Sequence, residues 1–209
     1  AGVVDGKNMI SAVDMLPTLL DIVDAKYPAR LDGRSFLPLI RGKTQIGRDH
    51  VFKEYNENAG ASRDPMRAVQ TKRYLYIFNP WSNGERVFAT ATTGTVTYRR
   101  LVALAKQDKR LDKRLDLYKH RVPEELYDVA NDPDCLINLI ADAKHQASLP
   151  GLRSELEGWM KRTKDPMLEV FIKRHDEIFR EAYVQKLEKE ALNRRKNRLG
   201  NKRRSKATK

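Results

Sequence analysis

The part of this chain that most constrains its fold is a series of strand-like runs in its first half. Three of them follow one another: His50–Tyr55, Met66–Thr71 and Arg73–Phe78. In the third run, Leu75 and Ile77 alternate with aromatic residues, so both faces of the strand are apolar. An antiparallel strand with one wet face alternates with polar residues instead. We therefore expect a small sheet covered on both sides, with one layer from later helices and the other from outside this chain.

Helical patterns surround these strands. They are predicted over Ile10–Val23, Phe36–Arg41, Arg99–Tyr118, Leu136–Asp142 (a short turn) and Gly151–Arg162, with a fourth strand over Glu125–Asp128. From Leu168 to Tyr183 apolar residues recur every three or four positions, which predicts an amphipathic helix over 169–192. The predicted class is α+β, a small antiparallel sheet of about four strands packed with helices. We expect four regions: 1–24 as the end of an α/β domain with a linking helix, 25–168 as the main subdomain, 169–192 as the amphipathic helix, and 193–209 as a tail.

The first predicted helix carries an apolar face. Ser11 and Asp14 have the spacing of a capping box at its start. The apolar face is formed by Leu16, Leu19, Leu20 and Val23. The chain also begins at Ala1 with residues typical of the middle of a fold, so we expect it to be a piece of a longer protein. If so, the partner layer of this face is missing, and the face should form an exposed apolar patch.

Positive charge is concentrated at the carboxyl end. The formal net charge is +13, but from Glu169 onward there are 14 Lys and Arg against 6 Asp and Glu. The segment Asn193–Lys209 holds nine basic residues, no acidic one and almost no apolar side chain, so we expect it to be disordered. Such a tail either binds an anionic polymer by counterion release or is only a solvated extension. No apolar run approaches the roughly 20 residues that cross a bilayer.

Five groups of short segments follow one another along the chain: Ile10–Ile22, Asp32–Lys43, Met66–Ile77, Glu125–Asp128 with Asn131–Pro133 and Asn138-Leu139, and Leu152-Arg153 with Trp159-Met160 and Thr163–Pro166. In this order they resemble the carboxy-terminal part of type I sulfatases, most closely the N-sulfoglucosamine sulfohydrolase (heparan N-sulfatase) branch. The resemblance covers about residues 8–168. It implies the carboxy-terminal subdomain of an enzyme that releases sulfate from an amino sugar or a sulfated polysaccharide. It also implies a periplasmic, secreted or lysosomal location.

The chemistry that this family uses is not encoded here. The resemblance implies a formylglycine nucleophile, made from the first residue of a Cys/Ser-x-Pro-x-Arg stretch, and a divalent cation, usually calcium. The sequence contains no such stretch, and Cys135 lacks the required proline and arginine. We interpret Cys135 as a part-buried, inert thiol. We therefore expect no catalytic residue, metal ligand or bound cofactor in this chain, with both cofactors belonging to the longer protein and its missing catalytic domain.

Other oxygen and nitrogen ligands do not form a recognisable site. The cluster Asp128, Asn131, Asp132 and Asp134 lacks the glycine and distal glutamate of a calcium loop. The histidines show no paired ligand spacing and are expected at the surface or in packing: His50, His120, His145 and His175. Neither group is predicted to bind metal.

The segment from Glu54 to Asp64, between the first two strands, is rich in hydrogen-bonding groups. In the sulfatase family the corresponding loop leans over the mouth of the active site, which makes it the implied selectivity element. The candidate substrate-binding residues are Glu54, Asn56, Asn58 and Arg63, and a guanidinium suits a sulfate or carboxylate. The alternative is an ordinary solvated hairpin loop.

Two functions from different classes therefore remain open. The first is the carboxy-terminal fragment of a sulfatase that acts on a sulfated saccharide, inactive by itself because it lacks the nucleophile and metal ligands. The second is a non-enzymatic basic module in which the tail binds anionic polymers and the body is a scaffold. The pI near 9.8 favours the second only if the tail is the working part.

Overall fold

One antiparallel sheet organises the molecule. The structure is a computed structural model that describes residues 2–57, 63–88 and 90–207. The strands pair in chain order: β1 (His50–Tyr55), β2 (Met66–Thr71), β3 (Tyr74–Phe78) and β4 (Glu124–Asp128). The helices are α1 (Met15–Ile22), α2 (Leu37–Ile40), α3 (Val96–Ala105), α4 (Lys109–Lys119), α5 (Leu149–Thr163), α6 (Leu168–Ile172) and α7 (Glu177–Ala207). The predicted α+β class with a four-stranded sheet is confirmed.

The main core lies on one face of the sheet. Val69, Tyr76 and Leu126 are direct neighbours across β2, β3 and β4, and each is fully buried. Leu156 of α5 and Phe171 of α6 close over them in the same cluster. Burying a side chain of this size contributes about 1.5–3 kcal/mol, so this layer is the main source of the sheet's stability.

The opposite face of the sheet is covered by the chain itself. Helices α3 and α4 form a hairpin on that side, and Leu75 and Ile77 of β3 line a cleft of about 300 Å³ with Leu117 and Tyr118 of α4. Our expectation that this second layer comes from outside the chain was wrong. The alternation of apolar residues in β3 does require two layers, but it does not say which segments provide them.

Two predicted helices differ from the structure because of turn and cap residues. The helix predicted over Arg99–Tyr118 is two helices, since the side chain of Asp108 accepts a hydrogen bond from the backbone N–H of Arg110 at 2.8 Å and starts α4. Aspartate is among the strongest helix N-caps. The segment Leu136–Asp142 is not helical, and a 3₁₀ turn follows it over Ala143–Ser148 instead.

The carboxyl-terminal helix is also interrupted and then longer than predicted. The amphipathic pattern over 169–192 is divided between α6 and α7, because Asp176 caps α7 by accepting a hydrogen bond from Phe179 N at 2.9 Å. Helix α7 then continues to Ala207. We predicted disorder from Asn193 onward, but the backbone is helical as far as Ala207. Lysine and arginine are good helix formers that need no buried partner. None of the described helices is long and apolar enough to cross a membrane.

The amino-terminal segment is tied to the body by one buried ion pair. Asp14 accepts from Arg48 Nη1 at 2.6 Å, from the backbone N–H of Arg34 at 2.8 Å and from that of Ser11 at 3.1 Å. The hydrogen bond from the Ser11 backbone N–H to the Asp14 side chain is one of the two that make up the predicted capping box. Helix α1 follows directly, and this arrangement places the segment beside β1 and α5.

Candidate functional site

The predicted substrate loop lies at one end of the β1–β2 hairpin. Glu54 is part of β1, Asn56 follows the strand and is exposed, and Arg63 precedes β2. Asn58 lies outside the described residues. The structure therefore places three of the four predicted residues at or next to the same hairpin. Glu54 does not take part in the ion pairs that Arg63 forms.

Arg63 is held by carboxylates of the chain itself. Its Nε lies 2.9 Å from Oε2 of Glu57, and its Nη1 lies 3.0 Å from Oε2 of Glu190 in α7. Arg194, one turn further along α7, binds the same Glu57 oxygen at 2.6 Å. These four residues form an alternating network that fastens the loop to α7. An anionic ligand at Arg63 must compete with two carboxylates for the guanidinium.

The base of the loop is fixed by a second, fully buried ion pair. Arg67 Nε lies 2.5 Å from Oδ2 of Asp165, and both side chains are almost inaccessible. The Nη1 group of Arg67 also donates to the backbone carbonyls of Tyr55 at 3.1 Å and Met66 at 2.9 Å. The guanidinium thus joins the last residue of β1 to the first residue of β2. These hydrogen bonds add to the β1–β2 ladder, in which Tyr55 and Met66 are paired.

Sequence reasoning did not find most of these loop partners. In the sequence, Arg67 and Asp165 stand only within segments that resemble the sulfatase family, and Glu190 and Arg194 only within the predicted amphipathic helix and the basic tail. The four-residue spacing of Glu190 and Arg194 predicts one face of a helix. It does not indicate that the face meets a loop more than 120 residues earlier in the chain.

The residues present do not fit the family's metal or nucleophile. Among the residues that the structure describes, no group of three or more His, Cys, Asp or Glu could hold a metal ion. Two oxygens of the acidic turn have partners within the chain: Asp128 Oδ2 pairs with Arg73, and Asp132 Oδ2 accepts from the backbone N–H of Leu136.

Cys135 has the properties of an unreactive thiol. It lies in the half-buried turn after β4, in a left-handed backbone conformation with φ of 52°. Burial, aided by the charge of Asp132, raises the pKa of its thiol. The thiolate is the nucleophilic form, so this environment opposes reaction.

The four histidines have separate local neighbours. His50 Nδ1 lies 3.3 Å from Asp49, His120 Nδ1 lies 2.6 Å from Asp116, and His145 Nδ1 lies 3.1 Å from the hydroxyl of Tyr74. His175 is mostly exposed, 3.8 Å from Glu124. Each histidine therefore sits in its own surface or packing environment.

Comparison with known proteins finds a sulfatase family model and several sulfatases that are similar to this chain. Residues 3–84 match the family model described as N-sulphoglucosamine sulphohydrolase, C-terminal. An ulvan-active sulfatase of Formosa agariphila is 31% identical over 166 residues, which are 78% of this chain and 31% of that protein. A Delta 4,5-hexuronate-2-O-sulfatase of Bacteroides thetaiotaomicron is 27% identical over 154 residues, 73% of this chain and 24% of that protein.

Among solved structures, that of BT4656 in complex with its substrate D-glucosamine-2-N,6-O-disulfate has a TM-score of 0.50 at 20% identity. The match covers 76% of this chain and 26% of that protein. At this identity it supports the fold alone. The chain spans about a quarter to a third of the length of these curated relatives and of this structure. The chain is therefore similar in sequence to type I sulfatases, and the family model that matches it describes a carboxy-terminal region.

Proposed function

We propose that this chain is the carboxy-terminal subdomain of a sulfatase that removes N- or O-linked sulfate from an amino sugar or a sulfated polysaccharide. The similarity to an ulvan-active sulfatase and a hexuronate-2-O-sulfatase supports a sulfated saccharide as the substrate class. The formylglycine nucleophile, the divalent cation and the remaining catalytic groups belong to the part of such proteins that this chain does not span. A periplasmic, secreted or lysosomal location accompanies this proposal.

Within that enzyme, the loop from Glu54 to Asp64 contributes to substrate selection. The observation that carries this role is the double anchoring of the loop, by Arg67–Asp165 at its base and by Glu190 and Arg194 of α7 at its side. A loop that only connects two strands needs neither anchor. Holding Arg63 in one position reduces the entropy lost when it binds a sulfate or carboxylate.

The test of this role uses the longer protein that contains the chain. Replacing Arg63 by Gln should lower kcat/KM for a sulfated amino sugar by about 10- to 100-fold, because a hydrogen bond to a charged group contributes roughly 1.5–3 kcal/mol. Arg110→Gln is the matched control, since that side chain is exposed and, among the residues that the structure describes, pairs only with Asp108 at 3.4 Å. Equal kcat/KM for Arg63→Gln and the unmodified protein would reject the loop as a selectivity element.

The inactivity of the isolated chain has its own test. With added calcium, the purified chain should release no sulfate from an aryl sulfate or from glucosamine N-sulfate. Calcium-dependent sulfate release that grows in proportion to the amount of purified chain would contradict the assignment of all catalytic groups to the rest of the protein.

The basic end of α7 supports the second candidate function. Nine basic residues and no acidic one follow Leu192, and the backbone stays helical as far as Ala207. If this segment binds anionic polymers, a chain ending at Leu192 should lose binding to a sulfated polysaccharide, and binding of the full chain should weaken steeply with salt. Unchanged binding after truncation would remove this candidate.

A further inference from the structure

A cleft of about 690 Å³ lies between the amino-terminal segment, β1 and the end of α5. One wall is formed by residues near Ser11 and Asp14, and the opposite wall by the face of β1 that carries His50, Phe52 and Glu54. The buried Asp14–Arg48 pair is part of its lining. Both walls are therefore fixed by strand pairing or by a buried ion pair, so the cleft is preformed.

Two stacked aromatic rings line this cleft. Phe52 and Trp159 are 5.2 Å apart between ring centroids and nearly parallel, at 11°. Both are only partly buried, although they pack against the main core. The face of an aromatic ring is negatively polarised and attracts positively polarised hydrogens. A sugar ring presents C–H groups of this kind on its faces, so these rings are a suitable platform for a saccharide.

Two charged side chains on the lining have no partner among the residues that the structure describes. Arg162 and Glu54 are exposed, and within residues 2–57, 63–88 and 90–207 neither side chain forms a hydrogen bond or an ion pair. This distinguishes Arg162 from Arg63, whose donors already bind two carboxylates. A free guanidinium can bind a sulfate or carboxylate with two parallel hydrogen bonds, and a free carboxylate accepts hydrogen bonds from hydroxyl groups.

We propose that this cleft is a binding subsite for a saccharide ring that carries an anionic substituent. The ring lies against Trp159, Arg162 binds the sulfate or carboxylate, and Glu54 accepts from a ring hydroxyl. The choice of ligand class rests on the proposed sulfatase function. The site differs from the Arg63 loop contact, because its residues come from β1, α5 and the amino-terminal segment.

Tryptophan fluorescence can test the site in the isolated chain. Its two tryptophans are distinguishable, since Trp81 is 1% exposed and Trp159 lines the cleft. Titration with glucosamine 6-sulfate should change the Trp159 emission in a saturable way, and Trp159→Phe should abolish that change. Unsulfated glucosamine should bind the unmodified chain at least about tenfold more weakly than the sulfated sugar does. The sulfated sugar should bind Arg162→Gln more weakly by a similar factor. Glucuronic acid tests whether a carboxylate replaces the sulfate.

Arg110→Gln is the control because it removes the same charge from an exposed position outside the cleft. It should bind the sulfated sugar as the unmodified chain does, while Glu54→Gln should weaken binding of both sugars. Equal losses in Arg162→Gln and Arg110→Gln would overturn the proposal, since they indicate general charge attraction. So would the absence of a saturable signal with either anionic sugar. If the isolated chain does not bind the sulfated sugar but the longer protein has a normal kcat/KM, the cleft proposal fails and the sulfatase function stands. If the chain binds the sugar but the longer protein releases no sulfate, the sulfatase function fails and the cleft proposal stands.

Discussion

Asp14 connects three separate parts of the chain through one carboxylate. Burial by itself would raise the pKa of this group. The backbone N–H groups of Arg34 and Ser11 and the guanidinium of Arg48 outweigh burial and lower the pKa below the usual value of 3.8. A carboxylate whose pKa is lowered by folding stabilises the folded state at pH values above its unfolded pKa. That stabilisation is lost as the pH falls through the folded pKa.

Replacing Asp14 by Asn should therefore lower the free energy of unfolding by an amount that depends on pH. The difference in free energy of unfolding between the two proteins should be largest near pH 6–7 and shrink below about pH 4, where the native carboxylate takes up its proton. Urea denaturation over this range measures it. Asp112→Asn, at an exposed position of α4, is the control and should show no comparable change. A pH-independent difference for Asp14→Asn would contradict the proposed linkage.

The Arg67–Asp165 pair gives a second prediction at the scale of single residues. Replacing Asp165 by Asn should destabilise the chain by about 3–5 kcal/mol, because it leaves the buried Arg67 charge without a counterion. Glu169→Gln breaks an exposed pair with Lys173 and should cost less than about 1 kcal/mol. Chemical denaturation of both variants compares them. Similar small losses in both would mean that Arg67 is satisfied by its two backbone carbonyls alone.

At the scale of elements, Gly33 sets how closely the turn before α2 approaches the start of α1. A Cβ atom at this position would lie 2.0 Å from the carbonyl oxygen of Val13, and backbone atoms cannot move away at little cost. Gly33→Ala should therefore destabilise the chain by about 1–3 kcal/mol or more, as overpacking does.

Gly158, in the middle of α5, is the matched comparison. An added Cβ there meets only the end of the Arg162 side chain, at 3.4 Å. Gly158→Ala should stabilise the chain by about 0.5–1 kcal/mol through helix propensity. Thermal unfolding should thus shift in opposite directions for the two variants. A gain in stability for Gly33→Ala would show that the amino-terminal segment does not pack at Val13.

At the scale of the whole molecule, the apolar face of α1 remains uncovered. Leu16, Leu19 and Val23 are 51%, 54% and 69% exposed, which confirms the patch expected from the sequence, while Leu20 is half-buried. Contiguous apolar patches favour association. The double variant Leu16→Ser and Leu19→Ser should lower the association of the isolated chain, measured by light scattering over a range of concentrations. Ile178→Ser, which removes an exposed apolar residue of α7, should have a smaller effect. A monomer at all concentrations before substitution would contradict this prediction.

The sequence by itself determined the local elements and their order. Alternation in β3, the apolar spacing of α5 and the cap at Ser11 and Asp14 depend on neighbours within a few residues, and these features match the structure. The resemblance to type I sulfatases also followed from the sequence, because several short segments stand in that family's order along one chain. Breaks in helices were missed where one capping aspartate, Asp108 or Asp176, outweighs a continuing apolar pattern.

The site depended on contacts that the sequence cannot specify. Arg63 meets Glu190 and Arg67 meets Asp165 across separations of 127 and 98 residues. Trp159 and Arg162 reach the cleft only because α5 packs on the sheet, where it contacts β2 and β3 and stacks Trp159 on Phe52 of β1. Charge and apolar character determine that such side chains need partners, but many residues of the chain could satisfy that need. Only the tertiary structure selects among them, because packing against the sheet fixes which helix face meets which strand.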